Sequence, residues 1–254
     1  MHGPLFLLTD SHAWGISWTV MVTATDRRND ENILLPIDDK HSVSLVFSLP
    51  EGDTPRQRHT VVIAHGAGND LAHPLLADVA AGLATAGYTA VRFNFPYKVA
   101  GRRAPDRQEV LEASWLAVMA YLEQERGLAP ADIVAAGKSL GGRVASQLAA
   151  AGRLAVRGLI FLGYPLHPPG QPEHPRDAHL YQIAVPMLFF AGTRDPLCDL
   201  TVLRPVLKRL TAPWELSLIE GGDHSLALPA AAGVPPARIH ANLVSRIIRW
   251  LKAR

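Results

Sequence analysis

The string Gly137-Lys138-Ser139-Leu140-Gly141-Gly142 follows the apolar run Asp132-Ile133-Val134-Ala135-Ala136 and precedes Arg143-Val144-Ala145-Ser146-Gln147-Leu148. The pattern predicts a short strand, a sharp turn and then a helix. Such a turn presents one serine hydroxyl as a nucleophile, and its flanking residues must be small, which Gly137 and Gly141 satisfy. The helix that opens behind Ser139 aims backbone N–H groups at whatever that oxygen attacks. Gly137-Lys138-Ser139 also resembles the end of a phosphate-binding loop. That motif needs glycine at position 132, where Asp132 stands.

A serine hydroxyl is a weak nucleophile at neutral pH, so it needs a general base and a group that fixes the base's tautomer. On a parallel sheet these follow in the order serine, acid, histidine, each on a loop after a later strand. Asp195 is the candidate acid. It sits in Gly192-Thr193-Arg194-Asp195-Pro196, after the apolar run that ends at Ala191. Asp199 is the alternative, and a plain helix-capping role for Asp195 is the competing reading. His224 is the candidate base, in Glu220-Gly221-Gly222-Asp223-His224-Ser225 after the last strand-like segment. Neighbouring side chains diverge, so Asp223 reads as a loop residue. The small residues of Ala64-His65-Gly66-Ala67-Gly68-Asn69 suit close approach of backbone to a developing oxyanion. The N–H groups of Ala67 and Leu140 are the expected donors, with His65 as a structural residue of that loop.

Three basic residues are candidates for substrate binding. Arg102 and Arg103 lie on the loop after the strand ending at Asn94, and Lys138 precedes the nucleophile. Arginine's planar fork suits carboxylate or phosphate, and an ion pair with an acid on the following helix is the competing reading. His167, His174 and His179 share a proline-rich loop, but their spacing fits no compact metal motif. No metal and no cofactor are expected.

The elements that must carry these residues alternate between strand and helix, which predicts helices packed on a mostly parallel sheet. Strands are expected at 42–48, 60–64, 89–94, 132–136, 158–162, 185–191 and 215–219. Helices are expected at 75–86, 106–126 and 236–252, besides the one behind Ser139. Residues 60–64 form a continuous apolar run, as a buried parallel strand does. Residues 166–178 read as a surface loop. The five tryptophans are scattered and read as packing residues.

The chain has 254 residues and is 48% hydrophobic, enough for one large α/β domain spanning 1–254. Residues 1–24 read as a loosely attached extension, with Met21 as an alternative start. That segment lacks a basic leader, and its apolar run is too short for a signal peptide or a membrane span. Net charge is +2 with no basic block, so no nucleic-acid partner is expected. The single Cys198 allows no intramolecular disulfide and suits a cytoplasmic protein.

The chain resembles an α/β-hydrolase, and within that superfamily the dienelactone-hydrolase-like group that includes testis-expressed protein 30 and the hydrolase-like subunit of the non-specific-lethal chromatin complex. The resemblance spans about residues 40–252. It rests on His65-Gly66-Ala67-Gly68, Arg92-Phe93-Asn94-Phe95-Pro96-Tyr97, Gly101-Arg102-Arg103, Gly137 to Arg143, Gly163-Tyr164-Pro165-Leu166-His167-Pro168-Pro169-Gly170 and Gly192-Thr193-Arg194-Asp195-Pro196-Leu197. It implies an α/β-hydrolase fold with a minimal cap or none. True dienelactone hydrolases use a cysteine nucleophile, whereas Ser139 stands in that place here. The expectation is a serine hydrolase that cleaves an ester, thioester or related acyl bond of a small molecule. The alternative is a non-catalytic interaction scaffold on the same fold, as the chromatin-linked members suggest.

Overall fold

Five largely apolar strands form the centre of the molecule: β4 (Thr60–Ala64), β5 (Thr89–Asn94), β6 (Ile133–Lys138), β7 (Gly158–Leu162) and β8 (Met187–Gly192). Such runs suit strands covered on both faces. The computed structural model describes residues 21–24 and 31–254. In it these strands pair in parallel, with β9 (Trp214–Ile219) at one edge. Three antiparallel strands complete the other side: β3 (Ser42–Ser48), β2 (Glu31–Pro36) and β1 (Met21–Ala24). The spatial order is β1-β2-β3-β5-β4-β6-β7-β8-β9.

Alternation along each strand sends side chains to two separate cores. Val62, Ala64, Ile133 and Ala135 face one, together with α3 (Gln108–Gln124), α4 (Leu140–Ala150) and α5 (Leu200–Lys208). Val61, Ile63, Val134 and Ala136 face the other, together with α1 (Pro74–Thr85) and α6 (Pro236–Lys252). Between β7 and β8 the chain builds a loop and one 3-10 turn, Ala178–Gln182. No cap domain therefore covers the carboxyl end of the sheet among the described residues.

Several boundaries differ from the sequence expectation. β1 and β2 add to the expected strands: residues 21–24, expected in the loose extension, pair with Glu31–Leu34. The rest of that proposed extension, residues 1–20, lies outside the described residues. β8 begins after Pro186, which lacks the N–H a ladder needs. The segment after Asn94, expected to be a loop, opens with a short helix, α2 (Pro96–Val99), begun by its N1 proline. β6 runs two residues further than expected, so Gly137 and Lys138 belong to the strand and the turn falls wholly on Ser139.

That turn packs α4 hard against the strands. A Cβ on Gly141 would stand 2.6 Å from Ala64 Cβ and 2.7 Å from the His65 carbonyl oxygen. From α3, buried Trp115 donates its indole N–H to the Gly141 carbonyl at 3.2 Å. Backbone neighbours cannot yield as a flexible side chain would. Gly141→Ala is therefore expected to destabilise the protein by about 2–3 kcal/mol. Gly68→Ala, where an added Cβ meets no atom within 4 Å, is the matched control. Denaturant unfolding of the two variants checks this.

Candidate active site

Ser139 has φ 48° and ψ −113°, a conformation that L-residues rarely adopt. The surroundings enforce it. Ser139 N–H donates to the Gly163 carbonyl at 3.2 Å, and Arg143 N–H donates to the Ser139 carbonyl at 3.0 Å as α4 begins. A Cβ on Gly137 would meet Gly142 N at 2.2 Å, so strand and helix touch backbone to backbone. Strain of this kind persists only where neighbours over-determine it.

The acid and the histidine come from two loops locked together. A Cβ on Gly192, at the end of β8, would stand 2.2 Å from the Gly222 carbonyl oxygen. Arg194 N–H donates to that same oxygen at 2.8 Å. The Asp195 side chain is fully buried, and His224 keeps 19% of its side chain exposed. The Asp195 carboxylate accepts the Leu197 N–H at 2.8 Å. His224 Nδ1 lies 2.8 Å and 3.0 Å from the two carboxylate oxygens. A carboxylate accepts, so Nδ1 carries the proton and Nε2 is left as an acceptor. Ser139 Oγ stands 2.9 Å from that Nε2 and donates to it.

Neither rival acid reaches His224 by a hydrogen bond. Asp199 caps α5, accepting from Thr201 N–H at 2.7 Å. Asp223 accepts the N–H groups of Ser225 and Ala227 at 2.8 Å and 3.0 Å and so shapes the histidine loop.

The loop after β4 runs beside the nucleophile: a Cβ on Gly66 would lie 3.4 Å from Ser139 Cβ. His65 is fully buried and holds this loop. Its Nδ1–H donates to the Gly66 carbonyl at 2.8 Å, and its Nε2 accepts the Phe95 N–H at 3.1 Å. Tyr97, also buried, donates its hydroxyl to the Ala67 carbonyl at 2.8 Å. The N–H groups of Ala67 and Leu140 are engaged in no hydrogen bond among the described residues. They remain available to an oxyanion.

The basic residues expected at substrate are placed otherwise. Arg102 pairs with Asp106, whose other carboxylate oxygen accepts the Tyr97 N–H at 2.7 Å. Its charge is compensated, and it braces the element that carries Tyr97. Arg103 is exposed, and no hydrogen bond or ion pair among the described residues links it to Ser139, His224 or Asp195. Lys138 is only 3% exposed. Strand alternation puts it with Val134 and Ala136 on the α1/α6 face. Burial lowers its pKa, and the charges of Asp223 and Asp195 oppose that shift.

A second serine–histidine contact is present. Ser146 Oγ lies 2.8 Å from His179 Nε2, which is also 3.0 Å from the Tyr164 hydroxyl. Ser146 is fully buried, and no carboxylate hydrogen-bonds His179, so this contact is packing. His167 is likewise saturated: Nδ1–H donates to Pro168 O, and Nε2 accepts the Asp199 N–H. Cys198 is buried and its thiol is pushed up to about 12, so it carries little thiolate. Among the described residues no group of three His, Cys, Asp or Glu is arranged to hold a metal ion. Among them, no helix is long and apolar enough to cross a membrane.

Serine, acid and histidine in that chain order, on the carboxyl-end loops of a mostly parallel sheet, define an α/β-hydrolase arrangement. The family described as an alpha/beta hydrolase domain matches residues 57–252, and the chain belongs to it. Similar solved structures include an α/β serine hydrolase without lid from Xanthomonas campestris, with 21% identity, TM-score 0.69, and 90% of this chain and 98% of that one covered. A homologue of α/β serine hydrolases from Coxiella burnetii shares 19% identity at TM-score 0.67, covering 88% of this chain and 99% of that one. A dienelactone hydrolase from Anabaena variabilis shares 20% at 0.63, covering 86% and 95%. At these identities the likeness is one of fold.

Burial holds the pKa of both His65 and His179 down at about 4, against 6.5 in an open chain. Between those values the unfolded chain binds protons that the fold excludes. The stabilisation is therefore complete above pH 6.5 and is lost as pH falls toward 4. His65 alone is expected to remove about 1–2 kcal/mol between pH 7.5 and 5. Denaturant unfolding across this range checks it, with a shallower slope expected for His179→Gln.

Proposed function

We propose that the protein is a serine hydrolase that cleaves an ester, thioester or related acyl bond of a small molecule. The observation that carries this reading is the unbroken line from Ser139 Oγ through His224 to the buried Asp195 carboxylate. Ser139 attacks the carbonyl carbon while His224 Nε2 takes the hydroxyl proton. The N–H groups of Ala67 and Leu140 bind the oxyanion, each such donor being worth about 3 kcal/mol of barrier. His224 returns the proton to the leaving group, and the acyl chain stays on Ser139. Water activated by the same imidazole then releases the acid. Asp195 keeps the tautomer and stabilises the imidazolium. No step calls for a cofactor.

The motifs around Tyr97, Arg143 and Gly170 support placing the chain in the dienelactone-hydrolase-like group. Its free, buried cysteine is compatible with cytoplasmic residence.

Turnover of p-nitrophenyl acetate tests the proposal. Ser139→Ala should lose activity, and Asp195→Asn should fall about 10⁴-fold because the wrong tautomer is favoured. Tyr97→Phe frees the Ala67 carbonyl, so kcat should drop about tenfold with KM little changed. Undiminished turnover in Ser139→Ala would refute the assignment.

A further inference from the structure

β9 ends the sheet, and among the described residues no strand pairs with its outer side. Its inner side pairs with β8 in parallel. Met187 N–H donates to the Pro213 carbonyl at 2.9 Å, and Thr193 N–H donates to the Ile219 carbonyl at 3.1 Å. Successive residues of a parallel strand turn their N–H and C=O groups to alternate sides. The odd-numbered residues of β9 therefore direct both backbone groups to β8, and Trp214, Leu216 and Leu218 turn theirs outward. No turn or loop among the described residues bonds these outward groups.

The side chains of the same three residues share one face. The register sets Trp214, Leu216 and Leu218 beside Met187, Phe189 and Ala191, which belong to the core under α5. Leu216 packs partly against that core, while Trp214 and Leu218 are each 37% exposed. They are two of the four exposed large hydrophobic residues among the described residues, and both stand on this edge. Soluble proteins ordinarily blunt an edge strand with a lysine, a proline, a bulge or shortness. At the opposite edge β1 has four residues. β9 has six, with no lysine and no proline. Its one charge, Glu215, lies on the α6 face and is paired there with Arg246 and Arg254.

We propose that β9 is the seam of a homodimer, in which two copies of the chain pair their β9 strands antiparallel about a two-fold axis at Leu216. The edge is self-complementary in that register. Leu216 meets Leu216 of the second copy, and on both sides of the axis Trp214 meets Leu218 of the other chain. Residues that exchange both N–H···O bonds recur at every second position of an antiparallel ladder, so all three outward backbone positions find partners. The apolar row on the α5 face then runs on across the seam, where aromatic and aliphatic cross-strand pairs stabilise a sheet. On the α6 face Glu215 stands opposite Ser217 of the second copy, so a carboxylate meets a hydroxyl donor. Moving the axis to Glu215 would set two carboxylates face to face. Moving it to Ser217 would leave Trp214 beyond the end of the other strand.

Sedimentation velocity over a wide range of protein concentration, joined to site-directed cross-linking, tests the seam. The wild type should sediment as a dimer. Leu218→Lys, at an exposed position, and Leu216→Lys, which sets two ammonium groups across the axis, should each raise the dimer dissociation constant at least tenfold. Leu218→Lys decides the matter if Leu216→Lys fails to fold. Cysteine variants then read the register. Paired residues at the axis stand about 5.5 Å apart between Cα atoms, so a bis-thiosulfonate reagent of that span should link Leu216→Cys into a covalent dimer. Leu218→Cys should stay unlinked, because the two copies of that position lie about 14 Å apart. The native Cys198 is buried with its thiol pushed up to about 12, so it does not compete. A wild type that is monomeric throughout the range, or a dimer as tight in Leu218→Lys as in the wild type, would overturn the seam. So would an unlinked Leu216→Cys, or a Leu218→Cys that links as readily.

Discussion

The contact between Gly137 and Gly142 is the constraint on which the site depends. Strand β6 and helix α4 meet there with no room for a side chain. The chain must reverse direction within one residue, and Ser139 takes up the strain at φ 48°. The reward is geometric. The hydroxyl is pushed clear of the sheet, and the Leu140 N–H at the start of α4 is left without an intrahelical acceptor. A wider turn would fill that gap with backbone hydrogen bonds and bury the oxygen.

Around this turn the protein builds rigid supports from neutral hydrogen bonds and a few compensated charges. His65, Tyr97 and Asp106 tie the loop after β4 to the segment after β5. Gly192 and Gly222 lock the acid loop to the histidine loop. The aspartate is wholly buried, while the histidine reaches partly into solvent. A carboxylate out of water binds its imidazole more strongly than an exposed one. The imidazole edge toward Ser139 stays accessible, as proton transfer to a leaving group requires. The absence of a cap among the described residues leaves the carboxyl end of the sheet open to a small substrate.

Much of this was legible in the chain. Continuous apolar runs mark buried strands, and glycine on each side of Ser139 marks a turn that tolerates nothing larger. Asp195 and His224 stood out because each follows a strand, where functional groups of such sheets gather. Side-chain partners were not legible. Arg102 is four residues from Asp106, yet the sequence did not show that Asp106 also holds Tyr97. Lys138 adjoins the nucleophile in sequence but faces the opposite core, because alternation along β6 continues two residues further than its apolar run suggests. β1 and β2 are short and lie at one end of the sheet, and in β2 only Ile33 and Leu35 carry the alternating signal of a strand with one face in the core. Arg143 stands in the string behind Ser139 that carries the family resemblance, but its unpartnered Nε is a property of packing that composition does not show.

The central claim is that Ser139 is an activated nucleophile. The most direct measurement is intact mass of the folded protein after incubation with a fluorophosphonate, followed by peptide mapping. The account predicts one adduct, on Ser139, absent in Ser139→Ala and strongly slowed in His224→Ala. An unlabelled wild type, or an adduct on another serine such as Ser146, would contradict it.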